Sequence, residues 1–307
     1  MDKKLLLIAN PKAGRGKSSA GLFEAVCEFS KAGYLVSVRK PEEYGDITRI
    51  AAEYGSEYDL VVCSGGDGTL SGTISGVMQL PVPRPAIGYI PNGSTNDFAL
   101  SLGLPLDTEE AARQVLSGVP HSLDLGQFNE RQFVYVASFG AFTRASYAAP
   151  QEIKNALGYF AYILEGAKDL DTLHPYRMRV ETEEEVFEGE YLFGAVSNST
   201  SIAGKMKLSQ NIVAMDDGEF ELILVPHVRS LEDLSGLLLT LMYKEFDPDF
   251  VIVRHVKKVT FRTEEDIPWS LDGEYAPSAP VINIETLHHA YRLILPKLEE
   301  QESPEVV

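Results

Sequence analysis

Long apolar runs are missing from this chain of 307 residues. None approaches the ~20 residues that a membrane-spanning helix needs. The stretch nearest the start, Leu5–Ala9, is strand-sized and runs straight into Asn10-Pro11, unlike the core of a secretory leader. A cytoplasmic location is therefore expected. Cysteine is scarce as well: Cys27 falls in a helical pattern and Cys63 ends an apolar run. Both read as reduced core residues, and neither a disulfide framework nor a zinc site can be built from two. Positive charge is in deficit, with 27 Lys and Arg against 45 Asp and Glu, a formal net charge of −18. That balance argues against nucleic acid, because neutralising phosphates requires a basic face. The six histidines are scattered, and His288-His289 are neighbours. In a strand that spacing sends the two rings to opposite sides, so no histidine metal site is expected.

What is present is a two-part texture. Strands are predicted at Lys4–Ala9, Tyr34–Arg39, Asp59–Cys63 and Ala86–Ile90. They alternate with helices at Ser18–Ala32, Asp46–Tyr54, Leu70–Met78 and Thr108–Ser117. Such alternation makes an α/β domain with a parallel sheet, placed at residues 1–125. From there strands dominate, beginning with His121–Phe128 and Gln132–Phe139 around a turn at Asn129-Glu130-Arg131. Later strands are predicted at 177–183, 185–197, 220–225, 251–263, 267–271, 281–285 and 290–295. A helical stretch at Gln151–Leu170 and an amphipathic helix at Leu231–Tyr243, capped by Ser230, interrupt them. A mostly antiparallel β-sandwich over 126–296 follows, its last strand able to pack back on the first domain. An acidic tail over 297–307 reads as disordered.

The densest motif is Ser64-Gly65-Gly66-Asp67-Gly68-Thr69-Leu70, directly behind the strand Asp59–Cys63. Three glycines in four positions let backbone N–H groups approach a polyphosphate with no Cβ between them. Asp67 cannot attract phosphate, so it holds a metal ion carried by the phosphate or orients neighbouring N–H groups. Thr69 caps or opens the next helix, whose N-terminus favours anions. Pro11–Ser18 misses a Walker loop, because Pro11 stands where the first glycine must be flexible and approach phosphate closely. Asn10 is better placed near phosphates or sugar, with Lys12, Gly14 and their N–H groups as anion donors. A third loop, Asn92-Gly93-Ser94-Thr95-Asn96-Asp97, follows the strand Ala86–Ile90 and offers Ser94 or Thr95 as a helix cap. In a parallel sheet all three loops lie at the carboxyl ends of strands, where ligands bind.

These segments together resemble the diacylglycerol kinase catalytic-domain family, in particular its soluble bacterial lipid kinases. NAD kinase and phosphofructokinase are more distant relatives. The likeness extends through Leu157–Tyr162, Met215–Leu222 and Leu271-Asp272-Gly273-Glu274, so it spans roughly residues 4 to 296 in one order. It implies a phosphofructokinase-like nucleotide domain and an ATP site formed by Asn10, Pro11, Lys12, Ala13, Gly14, Gly65, Gly66, Asp67, Gly68, Thr69 and Thr95. It implies a structural Mg²⁺ on Asp217 with main-chain oxygens of Ala214 and Glu219, a turn that alone could be a plain β-turn. Asn96 and Asp97 would face the substrate cleft, Asp97 either in the catalytic network or as a helix N-terminal charge. Phosphorylating an alcohol needs a carboxylate to take its proton. The resemblance puts that base in Asp272-Gly273-Glu274, with Glu274 preferred and Asp272 assisting; the bland alternative is a surface hairpin turn. Trp269, just before, is a pocket wall or simple core.

The expected function is thus ATP- and Mg²⁺-dependent phosphorylation of diacylglycerol or a similar lipid alcohol by direct transfer. The lipid would be met at a membrane surface, peripherally and transiently, through a local basic patch such as Lys12, Arg15 and Lys17, or Lys154 and Lys168. No nucleic-acid partner is expected, and a homodimer is left open. The alternatives are an NAD kinase-like enzyme and a regulator that binds nucleotide or lipid without turnover.

Overall fold

The computed structural model describes residues 3–11, 18–94, 96–140, 174–198, 215–243 and 247–297. The predicted helix at 151–170, Leu157–Tyr162, Arg15, Lys17, Lys154, Lys168 and the tail from 298 lie outside the described residues. Two compact units share the chain: residues 1–122 with 291–307, and residues 123–290.

In the first unit, β1 (Lys3–Ala9), β2 (Tyr34–Arg39), β3 (Leu60–Gly65) and β4 (Ala86–Pro91) form a parallel sheet in the order β4–β3–β1–β2. Leu5 stands beside Leu60 and Val61 beside Ile87. β1 and β3 are covered on both faces, which is why Leu5-Leu6-Leu7-Ile8 and Val61-Val62-Cys63 read as unbroken apolar runs rather than alternating ones. The helices are α1 (Ser18–Lys31), α2 (Asp46–Tyr54), α3 (Asp67–Met78), α4 (Asp97–Ser101) and α5 (Thr108–Ser117). One core cluster joins Leu5, Leu7 and Val62 of the sheet to Ala25 and Phe29 of α1 and Ala112 and Val115 of α5. Strand order 2-1-3-4 makes the gap between β1 and β3 the point where the chain reverses its direction of winding. Loops leaving two strands on opposite courses open a crevice there, where ligands of such sheets bind.

In the second unit the strand pairs of the described residues run antiparallel. β7 (Val136–Gly140) lies between β13 (Trp269–Leu271) and β9 (Val186–Ser197), and β13 carries β14 (Glu274–Ala276). β9 also pairs with β8 (Tyr176–Thr182) and β10 (Phe220–Pro226), β10 with β11 (Ile252–Val256), and β8 with β12 (Lys258–Arg262). Trp269 is core: its ring lies 4.9 Å from Phe139, 5.0 Å from Phe261 and 5.2 Å from Phe128. β5 (Val119–Phe128) and β6 (Arg131–Phe133) form a hairpin whose loop is only Asn129-Glu130, with Asn129 left-handed at φ 49°. α6 (Leu231–Tyr243) is capped as expected, Ser230 Oγ accepting from Asp233 N at 3.0 Å.

Three strand expectations are corrected. The predicted run 251–263 divides at Lys257 into β11, paired with β10, and β12, paired with β8. The predicted run 132–139 breaks at Val134-Tyr135, where the backbone turns its N–H groups to a carboxylate. The two predicted last strands are one 15-residue strand, β15 (Val281–Leu295), which runs through 286–289. Its His289 is left-handed at φ 51°, which breaks the side-chain alternation of a strand. The rings of His288 and His289 therefore do not point apart. They stack, with centroids 3.7 Å apart and planes 26° apart.

Candidate active site

The phosphate-loop candidate is set by backbone contact. Gly66 has an extended conformation (φ −88°) and Asp67 opens α3, so the helix starts two residues before Thr69, which is not its cap. Thr69 instead accepts on Oγ1 from Asn10 Nδ2 at 3.1 Å, and Asn10 N donates to Ser64 O at 2.9 Å. The loops after β1 and β3 are thus tied across the crevice between them. Glycine is required at two points. A Cβ at Gly65 would stand 2.2 Å from Thr69 Oγ1, and one at Gly93 would stand 2.5 Å from Gly66 Cα. The loop after β3 and the loop after β4 accordingly touch backbone to backbone, with Asn92 N donating to Gly65 O at 2.7 Å.

The third loop is held by a residue the sequence did not single out for this purpose. Asn96, left-handed at φ 54°, turns its amide back onto Gly93: Oδ1 accepts from Gly93 N at 2.7 Å and Nδ2 donates to Gly93 O at 3.2 Å. Asn96 is the residue before α4, so the expected cap at Ser94 is not found, and Ser94 is exposed. Thr95 lies outside the described residues, as do Lys12, Ala13 and Gly14. Pro11 is at an exposed turn, Gly68 is exposed, and Asp97 is the first residue of α4. Asp67 Oδ1 accepts from Phe98 N at 3.3 Å and from the Tyr89 hydroxyl at 3.4 Å. Of the two roles open to it, orienting neighbouring N–H groups has direct geometric support. Tyr89 and Phe98 were not foreseen, since nothing marks them among the other aromatics of the chain.

In the second unit, Asp272 and Gly273 form the turn between β13 and β14. Asp272 is left-handed at φ 50° and Gly273 at φ 86°. The Asp272 carboxylate is engaged by three peptide N–H groups: Oδ2 accepts from Val134 at 2.7 Å, and Oδ1 from Tyr135 at 2.8 Å and Val136 at 3.0 Å. Asp272 N donates back to Val136 O at 2.9 Å. This is the interruption that divides β6 from β7. Glu274, two residues on, is exposed at the start of β14.

The Asp217 turn is also formed. Gly218 is left-handed at φ 82°, and Asp217 Oδ1 accepts from Glu219 N at 2.9 Å. Asp217 is exposed at its tip; Ala214 lies outside the described residues. A carboxylate and a peptide carbonyl in one tight turn are hard oxygen donors, the set that Mg²⁺ favours. Cys63 offers no competing chemistry, since burial pushes its thiol up to about 12.

A parallel sheet with glycine-bound loops at its switch point, followed by a β-sandwich-like domain, defines a two-part kinase architecture. Residues 4–128 match the diacylglycerol kinase catalytic domain, and residues 136–295 match the YegS C-terminal NAD kinase beta sandwich-like domain. The chain belongs to the diacylglycerol kinase catalytic-domain family, and it is a lipid kinase. It is 32% identical over 297 residues to a diacylglycerol kinase of Bacillus subtilis (strain 168), covering 96% of this chain and 97% of that one. A diacylglycerol kinase of Staphylococcus epidermidis (strain ATCC 12228 / FDA PCI 1200) is 33% identical over 300 residues, covering 97% and 93%. A crystal structure of a diacylglycerol kinase from Bacillus anthracis str. Sterne shares the fold with a TM-score of 0.76, at 24% identity over 96% of this chain and 98% of that one. Membership of this family implies ATP as the phosphoryl donor, and an NAD kinase-like role is not favoured. Among the described residues no helix is long and apolar enough to cross a membrane.

Proposed function

We propose that the chain transfers the γ-phosphoryl group of ATP directly to the hydroxyl of diacylglycerol or a closely similar lipid alcohol. Glu274 takes the hydroxyl proton as the oxygen attacks, and Asp272 shapes the turn that presents it. The observation that carries this division is the Asp272 carboxylate, whose oxygens accept three peptide N–H groups while Glu274 is exposed. An acid engaged by its own backbone is suited to holding a turn; an exposed one is suited to proton transfer. The phosphates are received by the glycine backbone at Gly65 and Gly66, with Asn10 and Thr69 fixing the crevice. Lys12, Ala13, Gly14 and Thr95 complete the nucleotide site, and Asp97 supports the catalytic network. Mg²⁺ carried with the phosphates would neutralise charge on the transferred group. The acceptor is met at a membrane surface by transient, peripheral contact from the cytoplasmic side.

Incubation with ATP and a mixed lipid extract, followed by mass spectrometry, is expected to yield phosphorylated diacylglycerol. ATP turnover that depends on NAD, or none with any lipid, would overturn the assignment; the second result would favour a non-catalytic regulator. We also propose a structural Mg²⁺ on Asp217 and the main-chain oxygens of Ala214 and Glu219. Chelator should lower the melting temperature, Mg²⁺ should restore it, and Asp217→Ala should abolish the difference. A ligand held a hundredfold above its Kd stabilises by ~2.7 kcal/mol. Identical melting curves with and without chelator and Mg²⁺ would leave a plain turn.

A further inference from the structure

The stacked histidines of β15 stand over a buried acid. Asp124 is 0% exposed. Its Oδ1 accepts from His289 N at 2.7 Å and lies 2.9 Å from His288 Nδ1, while Oδ2 accepts from Gly218 N at 2.6 Å. Among the described residues no lysine or arginine pairs with it, and its ion-pair partner is His288. A carboxylate removed from water needs compensating positive charge or a full set of hydrogen bonds. Here the compensation comes from peptide N–H groups and one imidazole whose ring is about half exposed.

From this arrangement we infer that Asp124, His288 and His289 bind a divalent transition-metal ion of the Zn²⁺, Co²⁺ or Ni²⁺ class. One nitrogen from each ring and one carboxylate oxygen lie within 4.8 Å of one another. The separation of 2.9 Å between Nδ1 of His288 and the carboxylate oxygen is that of a hydrogen bond, and a bound ion would take the place of the shared proton. The left-handed His289 is what brings the second ring to the same side of the strand. Non-glycine residues adopt that conformation at some cost, so it marks a constrained position.

The surroundings of the site suit a metal. Asp124 is the fixed anchor: its second oxygen is tied to Gly218, and its main-chain oxygen accepts from Asn198 Nδ2 at 3.1 Å. Held ligands of this kind strengthen metal binding. Both rings are exposed, so the ion can reach them and keep water in its remaining positions. The donor set separates this site from the neighbouring Asp217 turn. Two imidazoles and one carboxylate favour Zn²⁺, Co²⁺ and Ni²⁺ over Mg²⁺, which prefers oxygen alone.

The test uses the full chain, freed of metal with chelator and then dialysed. Cobalt is titrated in while visible absorption and melting temperature are recorded. One cobalt per chain is expected, with a rise in melting temperature, and excess Mg²⁺ should not displace it. His288→Ala and His289→Ala should each weaken binding at least tenfold. Both alter exposed rings and leave the peptide N–H groups on Asp124 in place, so they disturb the fold less than Asp124→Asn, a buried change, and melting of each variant without cobalt separates lost binding from lost folding. Asp217→Ala should bind cobalt as the parent does. Absence of cobalt uptake, or uptake unchanged in both histidine variants, would overturn the site; loss in Asp217→Ala alone would assign the ion to the turn instead.

Discussion

Asp67 and Asp272 occupy corresponding points in two different architectures. Each follows a strand, and each turns its carboxylate to hydrogen-bond donors of another segment. Asp67 reaches Phe98 N and the Tyr89 hydroxyl at 3.3 and 3.4 Å, within a unit whose loops are already gathered by the parallel sheet. Asp272 reaches Val134, Tyr135 and Val136 at 2.7 to 3.0 Å, from 136 to 138 residues away in sequence. A parallel sheet delivers every strand's carboxyl end to one edge, so a loose tether and small residues suffice there. An antiparallel sheet sends successive turns to opposite ends, and the turn bearing Glu274 has to be fixed by a specific side chain.

The sharpest way to test that contrast is inside the Asp272-Gly273-Glu274 turn. Glu274→Gln should cut turnover by ~10²–10⁴ if Glu274 is the proton acceptor, with ATP binding and melting temperature near the parent values. Asp272→Asn should act differently. An amide offers one acceptor oxygen to three N–H donors, and each buried group left unpaired costs ~1–3 kcal/mol. Melting temperature and turnover should therefore fall together. Asp67→Asn, with its longer contacts, should lower melting less than Asp272→Asn does. Steady-state kinetics and thermal melting on the three variants decide this. Turnover in Glu274→Gln within about threefold of the parent would move the base elsewhere, with Asp97 the next candidate.

The same contrast explains what could be read from the amino acids alone. The first unit was legible because its strands are apolar runs and its loops carry their chemistry in consecutive residues, as in Gly65-Gly66-Asp67-Gly68-Thr69. Parallel topology then gathers the loops without further information. What escaped were the partners that fix those loops. Asn96 turning back on Gly93, and Tyr89 and Phe98 meeting Asp67, depend on side-chain directions that no spacing encodes. In the second unit the motif at Asp272–Glu274 was visible, but its hold on residues 134–136 was not, because that contact joins segments far apart in the chain. His288 and His289 show the limit most clearly. Strand alternation sends neighbours to opposite faces, and one left-handed residue reverses that conclusion.

A smaller effect is expected where backbone meets backbone. Gly66→Val places a branched side chain where even a Cβ would stand 3.2 Å from Gly93 Cα. The extended conformation of Gly66 tolerates valine, so the cost falls on the two loops and on the approach of phosphate. ATP affinity should drop at least tenfold, about 1.4 kcal/mol, with the sheet intact. Calorimetry with ATP, beside a circular-dichroism melt, measures both. Unchanged affinity would remove Gly66 from the nucleotide site and, with it, the view that glycine backbone does the work in the first unit.

The smallest effect should come from the cap of α6, which belongs to the second unit but to neither site. Ser230 Oγ accepts from Asp233 N at 3.0 Å, and Asp233 Oδ2 accepts from Arg229 N and Ser230 N, each at 3.0 Å. This reciprocal pair satisfies N–H groups that an α-helix leaves unpaired at its start. Ser230→Ala should cost ~1 kcal/mol and lower the melting temperature by a few degrees, with turnover unchanged. The two halves of the cap should separate with pH. The backbone hydrogen bond from Arg229 holds the Asp233 carboxyl below its ordinary value. A carboxylate depressed on folding stabilises above its unfolded pKa, and that contribution is lost as pH falls through the depressed value. The serine hydroxyl does not titrate, so the stability lost in Ser230→Ala should persist from neutral pH into the acid range while the Asp233 contribution disappears. Equal melting of parent and variant at every pH would remove the cap from the stability of α6, and a fall in turnover would tie this helix to catalysis after all.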